Sequence, residues 1–202
     1  MLKKHLIILV LMISGILSAQ KNELGLFVGS SGYHGDIGKN QLGAIFSNQL
    51  PAIGLSHKIN FHDYLSFRSS ILYGRLKGDD ALSNDPNLQS RNLSFRSHII
   101  DINVGFEFNF KRFKIHNRKT IYSPYIFAGI SFFTFNPQAQ NSLNQWVNLQ
   151  NLGTEGQETE VNTNKKYELS SLALPFGIGY KANINKKVAL SFEWIWRTTA
   201  TD

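Results

Sequence analysis

The chain has 202 residues and no cysteine, which excludes a disulfide framework, a thiolate metal site and a cysteine nucleophile. Hydrophobic content is 42% and charged content only 17%, below the usual quarter for soluble domains. Gly (16) and Phe (15) are plentiful, which suits strands and tight turns. The formal net charge of +7 could suggest a nucleic-acid partner, but no basic stretch is laid out as a helix or aromatic platform and part of the excess lies in the leader, so none is expected.

The leader, MLKKHLIILVLMISGILSAQ, starts with Lys3 and Lys4, runs apolar from Leu6 to Leu17 and closes on Ser18 and Ala19. It reads as a secretory signal peptide over 1–19, cut after Ala19, with an uncleaved anchor as the alternative. No later segment approaches eighteen apolar residues, so the mature chain, 20–202, can cross a membrane only as strands.

Seven segments then alternate with period two, the signature of a strand with one apolar and one polar face. The first covers about 23–33, with Leu24, Leu26 and Val28 on one face, and a polar loop follows to about 49. The second, 51–61, carries Ile53, Leu55, Ile59 and Phe61, and only His62 and Asp63 separate it from the third, 64–76, with Leu65, Phe67, Ile71 and Tyr73. A loop rich in Asp, Asn and Ser leads to the fourth, within 91–110, where Ile100, Ile102, Val104, Phe106, Phe108 and Phe110 alternate with Asp101, Asn103, Gly105, Glu107 and Asn109. The connector KRFKIHNRKT leads to the fifth, 122–135, whose aromatics occupy both faces. After the longest loop, 136–166, come the sixth, 167–183, and, past Asn185 and Lys186, the seventh from Val188.

Long loops follow strands one, three and five, and shorter turns follow two, four and six. This is the layout of an antiparallel up-and-down outer-membrane β-barrel, all-β, with short periplasmic turns and longer outer loops. The apolar faces are too uniform and bulky for a small sandwich core, whereas lipid demands no steric fit; a periplasmic sandwich or lipocalin-like barrel is the alternative. Single-chain bacterial barrels have an even strand number. Eight are expected here, so a fourth outer loop and a closing strand are expected beyond Asp202.

The polar face collects Lys58, Arg68, Asp101, Glu107, Lys181, Glu193 and Arg197. These read as a polar network that plugs the lumen, with a proton or ion path as the alternative. Tyr64, Tyr73, Tyr180, Trp194 and Trp196 read as an aromatic girdle. Lys111, Arg112, Lys114, Arg118 and Lys119 form a basic periplasmic connector and a candidate partner contact. Asp79, Asp80 and Asp85 could hold Ca²⁺ through carboxylate oxygens, but their spacing is that of no known calcium loop, so they read as a solvated acidic turn. His98 and Asp101 have opposite parity and point to opposite faces; His34 and Asp36 have no identifiable serine partner. No catalytic, cofactor or metal residues are assigned.

The segments YHGDIG (33–38), YGRLKGDD (73–80), RNLSFRS (91–97), SPYIFAGI (123–130), FNPQA (135–139), LQNLGTEGQ (149–157) and LALPFGIGYK (172–181) resemble the PorG-like outer-membrane β-barrel proteins associated with type IX secretion. The resemblance runs in order along nearly the whole mature chain. It implies a non-enzymatic outer-membrane protein, in contact with membrane lipids, whose periplasmic side meets the ring of secretion subunits. A general structural or adhesive barrel with ligand-binding outer loops is the alternative.

Overall fold

The computed structural model describes residues 22–38, 48–115, 121–141, 143–153 and 166–199. The leader over 1–19, and with it the signal-peptide reading, lies outside the described residues, as do Arg118 and Lys119.

Each alternating run forms a strand because every second side chain can leave water on the same face. The strands are β1 (Asn22–Ser31), β2 (Leu50–Asn60), β3 (Leu65–Asp79), β4 (Ser94–Asn109), β5 (Tyr122–Gln140), β6 (Trp146–Asn148), β7 (Ser170–Asn183) and β8 (Ala189–Thr199). They pair antiparallel in the order β1-β2-β3-β4-β5-β7-β8, and the short β6 pairs with the end of β5. The result is an all-β, up-and-down meander curled into a seven-strand half-barrel.

The short turns follow from local chemistry. Between β2 and β3 the amides of Phe61 and His62 both donate to the Leu65 carbonyl at 3.1 Å. Between β7 and β8 the Asn185 side chain accepts from the amides of Lys187 (2.8 Å) and Val188 (2.9 Å), the local bonding that makes Asn a turn former.

The burial pattern inverts that of a soluble protein. On β4 the apolar side chains from Ile100 to Phe110 are 43–57% exposed, while Asp101, Asn103, Glu107 and Asn109 are buried. Leu24, Leu26 and Val28 on β1 reach 80%, 70% and 74%, because β1 is an edge: among the described residues no strand pairs with its far side or with that of β8. The curl nonetheless closes across its interior, since Arg68 on β3 bonds Glu193 on β8 at 2.6 Å.

Several boundaries differ from the sequence expectation. β1 stops at Ser31, β3 runs on to Asp79, and β4 begins at Ser94, because Arg91 ends a six-residue helix, α1 (Pro86–Arg91). Asp85 caps that helix by accepting from the Asn87 amide, Pro86 opens it, and Asn92 closes it in the left-handed region at φ 52°, as helix termini favour. β5 extends to Gln140 rather than 135, and the region taken as one loop, 136–166, holds β6 and the one-turn helix α2 (Leu149–Leu152). β7 begins at Ser170, not 167.

Candidate functional site

The concave face of the half-barrel carries the seven charges expected of it, and the structure brings all of them into pairs. Glu107 on β4 is fully buried at the centre. Its carboxylate lies 2.8 Å from Lys58 Nζ and 3.7 Å from an Arg68 nitrogen, and accepts a short hydrogen bond from Lys181 Nζ. Arg68 also donates to Glu193 Oε2 at 2.6 Å, and the Tyr125 hydroxyl donates to the same oxygen at 2.9 Å. Nearer the long-loop end, Arg197 Nε donates to Asp101 Oδ2 at 3.1 Å, and Asn103 donates to Asp101 Oδ1 at 2.6 Å.

Four members were not assigned from the sequence. Glu23, opposite Lys58 in the β1–β2 register, accepts from Asn60 at 2.7 Å. With it, among the described residues four cations (Lys58, Arg68, Lys181, Arg197) face four acids (Glu23, Asp101, Glu107, Glu193), so their formal charges balance. Tyr125 is 2% exposed; its ring fills the space beside Gly179, where an added Cβ would come within 2.2 Å of it. Phe127 lies under Arg68, with the guanidinium carbon 3.9 Å from the ring centroid. The odd-numbered positions of β5 carried this signal, but the aromatics on both faces of that strand obscured it. Phe113, the fourth, was hidden among the charges of the connector.

Phe113 reorganises the reading of that connector. It is 3% exposed, lies beneath Lys181 with Nζ 4.6 Å from its ring centroid, and its amide donates to the Asp63 carbonyl at 3.0 Å. The segment therefore tucks under the short-turn end as a stopper. The basic side chains around it are held at the rim: Lys114 Nζ is 2.8 Å from Asp63 Oδ1, Arg112 Nε donates to the Tyr64 hydroxyl at 3.3 Å, and Lys111 Nζ sits 3.8 Å over the Tyr122 ring. Lys114 holds the Asp63 carboxyl below its usual range, chiefly through their hydrogen bond.

At the long-loop end the acidic turn is a structural knot. Asp80 is fully buried. It accepts from the Gly38 amide (2.8 Å), from Arg91 Nε (2.7 Å) and a second Arg91 nitrogen (2.9 Å), and from the Leu93 amide (3.1 Å). Arg91 also donates to the Asp36 carbonyl at 2.8 Å, which ties the β1–β2 loop to the β3–β4 loop. Gly38 has φ +69°, and an added Cβ would lie 3.0 Å from the Asp79 backbone, so only glycine fits there without strain. Asp79 and Asp85 cap short helical turns. All three aspartates are thus engaged locally, and among the described residues no group of three His, Cys, Asp or Glu is placed to hold a metal.

The five girdle candidates divide by position. Tyr64 stacks on His62 at the short-turn end, where Tyr180 stacks on Tyr122. Tyr73 and Trp196 end the apolar runs of β3 and β8 towards the long loops, while Trp194 lies one outward position inside Trp196, their rings stacked at 5.6 Å. His98 faces outward and shares a 2.8 Å hydrogen bond with the Tyr73 hydroxyl, on the opposite face from Asp101, as parity requires.

The model of a family described as "Domain of unknown function (DUF6089)" matches residues 3–202. No curated protein and no solved structure gives a match.

Proposed function

The chain belongs to the DUF6089 family, and from its geometry we propose that it is a non-enzymatic outer-membrane β-barrel, an accessory or anchoring component of type IX protein secretion. The observation that carries the membrane reading is the inversion of β4, with its apolar face in the open and its carboxylates buried. In water such a face would be an aggregation surface; in a bilayer it is the lipid contact of a barrel strand. The neutral, side-chain-filled plug favours an anchor or scaffold over a conduit. The secretion role rests on the ordered resemblance of seven segments to PorG-like barrels.

In that orientation the short turns face the periplasm and present Lys111, Arg112 and Lys114, with Arg118 and Lys119 in the same connector. Lys114 keeps 54% of its side chain exposed despite its pairing with Asp63, so the rim can still meet an acidic partner in the secretion ring. Neutralising all five cations is expected to abolish co-purification of ring subunits and reduce secretion while the barrel still folds. Undiminished co-purification would remove the contact from the proposal.

One observation favours the second reading, an adhesive or ligand-presenting barrel. The Asp80 knot ties the β1–β2 loop to the β3–β4 loop, so at the long-loop end these two are one unit and not independent loops. Replacing 136–166 with an unrelated loop should abolish function under that reading and spare secretion under the first.

A further inference from the structure

The outward side chains of β3 and β4 change character abruptly towards the long loops. On β3 the outward series runs Ile71, Tyr73, Arg75, Lys77; on β4 it runs Ile102, Ile100, His98, Arg96. The register sets Arg75 opposite His98 and Lys77 opposite Arg96. Like charges directly opposite on neighbouring strands repel, so the Lys77–Arg96 rung weakens the sheet it belongs to. The remaining strands end differently. Val28 is followed outward by Ser30, Ile53 by Pro51, Phe132 by Thr134 and Trp196 by Thr198. Among the described strand ends the cations are therefore a local feature of β3 and β4.

Their surroundings pair the lysine and leave the two arginines without a carboxylate among the described residues. Arg96 lies 3.8 Å over the Trp146 ring and donates through Nε to Gln138 at 3.0 Å. Lys77 has one acid, Asp79, at 3.1 Å. Among the described residues no carboxylate pairs with Arg75 or Arg96. We propose that this patch binds the phosphate of an anionic lipid of the outer leaflet. The apolar run from Leu65 to Tyr73 is about nine residues, which at roughly 3.3 Å each and a tilt near 40° spans roughly 23 Å, about the height of a barrel's apolar band. The patch starts where that run stops, at the depth of headgroup phosphates. Arginine suits the bidentate geometry of phosphate, and Trp146 and Tyr73 flank the site as interfacial aromatics do. Continuity with the apolar face is what selects a lipid over a free anion.

The inference rests on the membrane reading, and its test separates the two. The full chain, with folding verified by heat-shifted mobility, is reconstituted in phosphatidylcholine nanodiscs. These contain either a doubly phosphorylated glucosamine-based lipid or its dephosphorylated form, and bound lipid is counted by native mass spectrometry. Retention of the phosphorylated lipid should exceed that of the other by roughly tenfold, given the attraction per basic residue near a charged surface. The preference should vanish in the R75Q/K77Q/R96Q variant and persist in K186Q/K187Q, whose changes lie at the opposite end. Equal retention by the wild type and the triple variant would overturn the inference, as would full displacement by millimolar inorganic phosphate, which would mark a free-anion site. Failure of the wild-type chain to enter any bilayer would overturn the membrane reading, and this site with it.

Discussion

Glu107 is surrounded by Lys58, Arg68 and Lys181, and its charge is what makes burying those three cations tolerable. Truncating one partner of a buried ion cluster leaves the others uncompensated, at a cost of about 3–5 kcal/mol. Glu107→Gln, which keeps the shape and removes the charge, should therefore lower the urea midpoint of the folded, heat-modifiable form in detergent. Adding Lys181→Met to it should restore part of the loss. Asp80 allows a prediction in pH. The Arg91 hydrogen bonds, aided by the Gly38 and Leu93 amides, hold its carboxyl at about 2, down from 3.8. A depressed carboxyl stabilises the folded loop fully above its unfolded value, and that contribution is lost as pH falls through the folded one. Cleavage of residues 81–91 by an acid protease should thus accelerate between about pH 4 and pH 2, beyond the protease's own profile. Asp80→Asn, measured alongside, should be cleaved readily even at pH 4.

At the scale of elements, β4 is the strand whose face matters most. Phe106→Arg places a charge midway along its outward run and should destabilise insertion by about 2–4 kcal/mol, measured as folding into lipid vesicles against Thr198→Arg at the end of β8. If the two changes cost the same, the apolar face does not meet lipid. The strands were legible because an outward face that packs against no core meets no steric fit that would break the alternation: Ile100 to Phe110 announce themselves. The seven lumen charges were legible for the same reason, since parity alone puts them inside. The irregular elements were not. α1 carried its signals in Asp85, Pro86 and Asn92, but six residues are too few for a helical period to show. β6 is three residues long and exists by pairing with the extension of β5, a tertiary contact that no local pattern encodes. Glu23 went unassigned because its partner becomes evident only from the β1–β2 register.

At the scale of the whole molecule, two ends of different construction flank one insulated middle. The short-turn end is stoppered by Phe113 and rimmed with cations. The long-loop end is knotted by Asp80 and Arg91, which join three of the segments that carry the PorG-like resemblance, YHGDIG, YGRLKGDD and RNLSFRS. Those segments therefore specify loop architecture through Gly38, Asp80 and Arg91, three residues whose types the knot explains without any ligand. The central bonds of the plug join residues far apart in sequence: Arg68 to Glu193 across 125 positions, Asp101 to Arg197 across 96. Neighbouring strands can zip as hairpins with small loop-closure entropy, whereas contacts this distant must await most of the chain. Until β8 arrives, Arg68 and Asp101 lack those partners, so a partly assembled sheet holds these two charges less fully paired. The plug thus acts on the order of assembly: it withholds the stabilisation carried by Glu193 and Arg197 from every intermediate that lacks β8, and favours the addition of that strand over arrest.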